Sequence, residues 1–254
     1  MRIGRQSALC IPTRVAAGPR RRGGRRTVAV MCGRYATTRT DTDLSILFDA
    51  VNVTEGLTPS WNVAPTDPVS VVRVSTRQQA RVLDTAKWGL VPSWVKDPRA
   101  GARMINARAE TVATTPAFAP SFARRRCLIP ADGWYEWVGT GRPKQAYYMT
   151  PRDGSPLAFA GLWAMSGAEV LTCSIVTTAA LGGLTAVHHR MPLVLPRDRW
   201  PDWLAEGGDP AALLQPMSPA DLDAIEVRAV RPDVGNVRNN GPALITPPVQ
   251  EQLF

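Results

Sequence analysis

Apolar residues recur at helical spacing through residues 36–49, where Leu44, Leu47 and Phe48 form one stripe. Thr40 or Asp41 is placed to cap that helix. The pattern then shortens to strand length. β-Branched runs at 70–74 and 80–83 read as strands, as do apolar runs at 157–163 and 170–177. Residues 127–130, 133–137 and 146–149 read as three strands of an antiparallel meander, with a turn at 139–143 before the last. Residues 104–111 read as a short helix capped by Asn106, and 118–126 as another ending in Arg124, Arg125 and Arg126. Residues 179–184 form a helical turn in this reading. Asp209 before Pro210 and Ser218 before Pro219 each set a capping residue ahead of proline at the first helical position. A late strand follows at 225–230. The stretches 61–66 and 88–94 are irregular, 236–242 is a turn-rich loop, and 245–254 is a tail. Many short strands and few helices predict one α+β domain with a largely antiparallel, barrel-like β core and peripheral helices.

Charge changes this picture at one end only. The chain carries 30 Lys and Arg against 21 Asp and Glu, a formal charge of +9. Residues 1–30 hold eight arginines (2, 5, 14, 20, 21, 22, 25 and 26) and no acid. Without them, 22 cations face 21 anions, so residues 31–254 are close to neutral. A uniformly basic nucleic-acid binder is excluded for that part, and any DNA affinity there comes from a local cluster. Residues 1–30 lack the apolar centre of a secretory signal. The reading adopted is that they follow an upstream start that the cell does not use, and that the domain begins at Met31. A cleaved organelle-type leader and a retained basic tail are the alternatives. No apolar run approaches the ~18–20 residues of a membrane span.

Of the cysteines, Cys32, Cys127 and Cys173 fall in the domain and Cys10 in the basic segment. An odd number without close spacing argues against a disulfide framework and for a reducing, cytoplasmic setting. Zinc ligation by Cys127, Cys173, His188 and His189 lacks paired-cysteine spacing. Cys32 directly follows Met31. If translation starts at that methionine and the methionine is removed, Cys32 presents an α-amine and a thiol on neighbouring carbons. An internal cysteine has no such pair, and it is the combination suited to an aldehyde.

Four stretches carry a resemblance. They are Met31-Cys32-Gly33-Arg34-Tyr35; Trp88-Gly89-Leu90-Val91-Pro92 with Asn106-Ala107-Arg108-Ala109-Glu110-Thr111; residues 126–137 around Cys127, Trp134 and Glu136; and His188-His189-Arg190-Met191-Pro192. In this order they resemble the SOS-response-associated peptidase family, also called abasic-site processing proteins, over about residues 31–247. His189 and Leu181 depart from the family's usual residues. The resemblance implies covalent capture of abasic sites in single-stranded DNA by a terminal cysteine. By position it implies Cys32 as nucleophile, with Asn106, Glu136 and His188 lining the site. It offers Arg34, Arg108 and Arg190 for phosphates. The family's older label implies a thiol autopeptidase instead, pairing Cys32 with His188. A third reading is a single-strand binding module without chemistry.

The chemistry fits those residue types. An α-amine titrates near ~7.7–8.0 and a lysine near ~10.4, so the terminal amine is far richer in free base at neutral pH. Its imine with an aldehyde can be closed by the adjacent thiol into a thiazolidine ring. His188 would move protons near working pH. Glu136 shares a strand face with Trp134, and an aromatic wall helps a carboxyl keep its proton. Asn106 would orient the sugar or amine. β-Elimination through the imine would give a weak lyase activity. Trp88, Trp94 and Trp134 are candidates for stacking on bases. The expected protein is a monomer that needs no cofactor or metal and has abasic single-stranded DNA, not a membrane, as its partner.

Overall fold

In a computed structural model, residues 32–248 are described except 55, 142, 143 and 168. The basic segment 1–30 and the end of the expected tail lie outside the described residues. The chain folds as β1 (Tyr35–Thr37), α1 (Asp41–Phe48), β2 (Val51–Asn52), β3 (Ser60–Val63), β4 (Pro68–Ser75), β5 (Ala80–Trp88) and β6 (Asn106–Arg108). Then come α2 (Ala119–Arg124), β7 (Arg126–Ala131), β8 (Gly133–Val138), β9 (Gln145–Pro151), β10 (Leu157–Met165), β11 (Leu171–Ala179) and β12 (Arg190–Pro192). The last elements are α3 (Trp200–Leu204), α4 (Pro210–Leu213), α5 (Pro219–Asp223) and β13 (Ile225–Val230).

Two sheets result. The smaller runs β13-β9-β8-β1-β3. The larger runs β12-β11-β10-β7-β4-β5-β2, with β6 beside β11. A further parallel pairing sets Thr172 against Lys87 and Cys173 against Trp88, joining β11 to β5 and bending the larger sheet into a partial ring. Neighbouring residues of the larger sheet face opposite cores. Val71, Ile129, Phe159 and Ile175 pack with Tyr35, Trp134 and Met149 of the smaller sheet. Val72, Leu128, Ala160 and Val176 pack with Leu44 and Phe48 of α1, Phe122 of α2, and Trp200 and Trp203 of α3. Burial on both faces explains why these strands read as continuous apolar runs rather than alternating ones.

Most expected elements are present, with four corrections. Part of the stretch read as irregular over 61–66 is a strand, since β3 (Ser60–Val63) pairs antiparallel with β1. The first helix is shorter than 36–49, because residues 35–37 pair as β1 and the helix starts at Asp41. Thr40 and Asp43 form a reciprocal capping box there. Residues 104–111 are not helical. Asn106, Ala107 and Arg108 pair in parallel with Ile175, Val176 and Thr177. Ala107 is fully buried, so tertiary pairing outweighs its helix propensity. The meander is also broken: β8 and β9 form a hairpin, but β7 pairs with β10 and β4 in the other sheet. The crossing occurs at Asp132, whose carboxylate accepts from the backbone N–H and hydroxyl of Thr38. Gly133 follows, where a Cβ would lie 2.3 Å from the Met149 carbonyl oxygen. The expected caps at Asp209 and Ser218 are both made.

Candidate active site

Cys32 lies three residues before the start of β1, and β1 pairs with β8 so that Tyr35 opposes Trp134. That register brings the start of the domain alongside Glu136. The Cys32 backbone nitrogen donates to Glu136 Oε1 at 2.9 Å, and both residues are buried. Here the nitrogen is a peptide N–H; after loss of residue 31 the same atom would be an α-amine. Cys32 also has φ of +46°, a left-handed conformation that a cysteine rarely adopts. A residue with nothing before it has no φ to strain.

Burial pushes the Glu136 carboxyl up to about 7, although its contacts with Cys32 pull the other way. Burial likewise raises the Cys32 thiol well above its ordinary value, and the Glu136 charge raises it further. The thiol therefore rests protonated. Its sulfur lies 4.0 Å from the Arg190 carbonyl oxygen.

Arg190 joins the cysteine to the imidazole. His188 Nδ1 accepts from the Arg190 N–H at 3.1 Å and lies 3.2 Å from the Arg190 carbonyl oxygen. A bare Nδ1 uses the first contact and an Nδ1–H the second, so the tautomer decides which is made. Burial holds His188 below the ordinary imidazole value; its Arg190 backbone contact opposes this, while the charges of His189 and Arg190 reinforce it. His189 stacks at a tilt beside it, ring centroids 4.3 Å apart. The Arg190 guanidinium is itself buried. It pairs with Glu110 and donates to the carbonyl and hydroxyl of Thr177.

Thr177 links this cluster to β6, since it opposes Arg108 in the sheet. Asn106 and Arg108 alternate with buried Ala107, so they share the face that carries Thr177. Asn106 is half-buried and Arg108 exposed. Of the expected quartet, Cys32 touches Glu136, and Cys32 and His188 are joined through the Arg190 backbone; Asn106 lies on β6, two residues from Arg108, which opposes Thr177.

The expected nucleic-acid contacts divide. Arg108 is open. Arg34 donates to Asn62 Oδ1 at 2.6 Å and to the Val234 carbonyl at 2.9 Å, which ties β1 to the 232–235 turn. Arg190 is held as described. Trp88 is fully buried, packs edge-on against Tyr35 and donates its ring N–H to the Ile105 carbonyl. Its ring lies in the core between the sheets and has no face for a base. Trp134 is buried too, whereas Trp94 is 57% exposed. Glu110, Thr177 and Asn62 also belong to these contacts, and none is singled out by the sequence. Glu110 was visible as the acid two residues beyond Arg108, but nothing in the sequence pairs it with Arg190. Among the described residues no cluster of three or more His, Cys, Asp or Glu is arranged for a metal ion.

Fold and site together define a two-sheet α+β protein built around a buried cysteine–carboxylate contact. The model of the SOS response associated peptidase (SRAP) family matches residues 31–237. The chain belongs to that family. It is 33% identical over 226 residues to the abasic site processing protein YoqW of Bacillus subtilis, covering 85% of this chain and 99% of that one. It is 34% identical over 227 residues to the abasic site processing protein YedK of Escherichia coli, covering 85% and 100%. A solved structure of a protein from Bacteroides thetaiotaomicron shares the fold, with a TM-score of 0.75 and 21% identity over 86% of this chain and all of that one.

Proposed function

We propose that this chain captures abasic sites in single-stranded DNA covalently, through Cys32 as the N-terminal residue. The observation that carries the reading is the 2.9 Å contact between the Cys32 nitrogen and buried Glu136. The relatives are abasic site processing proteins, which supplies the lesion, and an abasic site supplies the aldehyde.

The amine attacks the ring-opened aldehyde, and the carbinolamine loses water to give an imine. The thiol then adds across the C=N bond, its proton passing to nitrogen, and a thiazolidine closes with one water released in all. A carboxyl near neutrality suits Glu136 to take a proton from the amine and return it to the departing hydroxyl. His188, held below the ordinary imidazole value, is a base at neutral pH and would open the sugar by proton transfer. Asn106 orients the sugar, and exposed Arg108 is the fork assigned to a phosphate. Arg34 and Arg190 act first as walls of the site. A protonated thiol favours this order of events over a resting thiolate–imidazole pair of the peptidase kind. β-Elimination from the imine is a minor branch. We place the protein in the cytoplasm, at the nucleoid when engaged, as a monomer. Among the described residues no helix is long and apolar enough to cross a membrane.

The test mixes protein beginning at Cys32 with an abasic single-stranded oligonucleotide. A heat-stable shifted band is expected, absent with Cys32→Ala. The same band from Cys32→Ala, or from protein that keeps residue 31, would overturn the proposal. Cys32-dependent release of residues 1–31 by the pure full chain would favour the peptidase instead.

A further inference from the structure

A second group of arginines lies away from Cys32. A groove of about 520 Å³ is lined by Arg73, Arg81, Arg124, Arg125, Arg126 and Trp163, among others. Its place follows from the strand register. Trp163 opposes Cys173, whereas Arg190 opposes Ala179 on the same strand. Six residues of β11 separate those positions, about 20 Å at strand rise. The groove is therefore remote from the proposed capture site.

The charges there are unequally used. Arg73 is paired with Asp84 at 2.7 Å and stacks over Trp163, 5.0 Å from the ring centroid. Arg126 is buried and donates to the carbonyls of Phe122, Trp203, Ala205 and Gly207. It thereby satisfies the chain ends of α2 and α3, the usual task of arginines after a helix. Arg124 and Arg125 are relieved of that task. Arg124 is exposed, and Arg125 has a buried Nε without a hydrogen-bond partner. Glu206 is the carboxylate in the lining. Arg81, Arg124, Arg125 and Arg126 thus face one acid, on a domain whose net charge is near zero.

We infer that this groove is a second binding site for the phosphodiester backbone of single-stranded DNA. Its cations come from the β4–β5 hairpin and the α2–β7 junction, so they form a strip across elements rather than a closed cradle for one phosphate. Trp163, half-buried against the core and stacked on by Arg73, forms part of the groove floor. The inference extends the reading that the chain handles single-stranded DNA. The groove would hold the strand outside the captured nucleotide.

The test uses the full chain carrying Cys32→Ala, so that no covalent product forms, with undamaged oligodeoxythymidylate as the probe. Arg124→Glu/Arg125→Glu is compared with its parent, and the arginines of residues 1–30 cancel in the difference. Each lost phosphate contact removes ~0.7 from the slope of log affinity against log salt, so a fall of about 1.4 is expected. Arg124→Lys/Arg125→Lys should keep most of the slope. An unchanged slope and affinity in the Glu variant, with its melting temperature intact, would overturn the inference. So would loss of binding that inorganic phosphate at matched ionic strength reproduces in the parent, since the site would then take a free anion. If Arg124→Glu/Arg125→Glu unfolds, Arg124→Glu alone is read against half the change. The probe lacks a lesion, so failure of the capture chemistry would leave this result standing.

Discussion

Glu136 illustrates how one buried group ties stability to chemistry. Its carboxyl is raised from 4.5 to about 7 in the fold. Between those values the unfolded chain releases the proton and the folded chain retains it, so stability falls as pH rises from about 4.5 to 7 and then levels. The full effect is on the order of 3 kcal/mol. Glu136→Gln mimics the protonated form, and urea melts at pH 5 and pH 8 should show that dependence diminished. His188, shifted the other way, contributes with opposite sign in both proteins and cancels in the comparison. The same variant should slow crosslinking by about a hundredfold or more. Glu110 offers a second test. It pairs with the Arg190 side chain, while the Arg190 backbone touches both Cys32 and His188. Glu110→Ala should slow crosslinking by roughly tenfold through misplacement, and Glu110→Gln should recover part of the loss. The first residue was readable from its motif and its strand face beside Trp134. The second was not, because its partner lies 80 positions away.

Among the elements, the most exposed to single changes is the crossing from β7 to β8. Gly133→Ala would drive a methyl toward the Met149 carbonyl and the Tyr148 ring, 2.3 and 2.5 Å away. A loss of about 3 kcal/mol is expected by chemical denaturation, as for other overpacked sites. Crosslinking should fall with it, since β8 carries Glu136. Thr40→Ala, by contrast, removes a capping box on an exposed turn and should cost about 1 kcal/mol with crosslinking unchanged. Helix caps and β-branched runs were legible because they depend on neighbours within a few residues. Asn106–Arg108 was misread for the opposite reason: good helix formers were recruited by β11, which lies far along the chain.

At the scale of the whole molecule, charge is divided between a near-neutral domain and an arginine-rich beginning. The full chain should bind undamaged single-stranded DNA more tightly than protein starting at Cys32, with a steeper salt dependence, as filter binding at several salt concentrations would show. Only the shorter protein should crosslink an abasic strand, and the mass of the native protein should begin at Cys32. Composition, charge distribution, most strand and helix positions and the four ordered motifs were set by the sequence alone, because hydrophobic spacing and capping act locally. The tertiary structure decided which sheet each strand joins, that Trp88 is core rather than surface, and that Arg190 is anchored by Glu110. It also placed Cys32 against Glu136. Those outcomes depend on pairings between segments scores of residues apart, where register and burial of both sheet faces select the partner and local pattern carries no record of it.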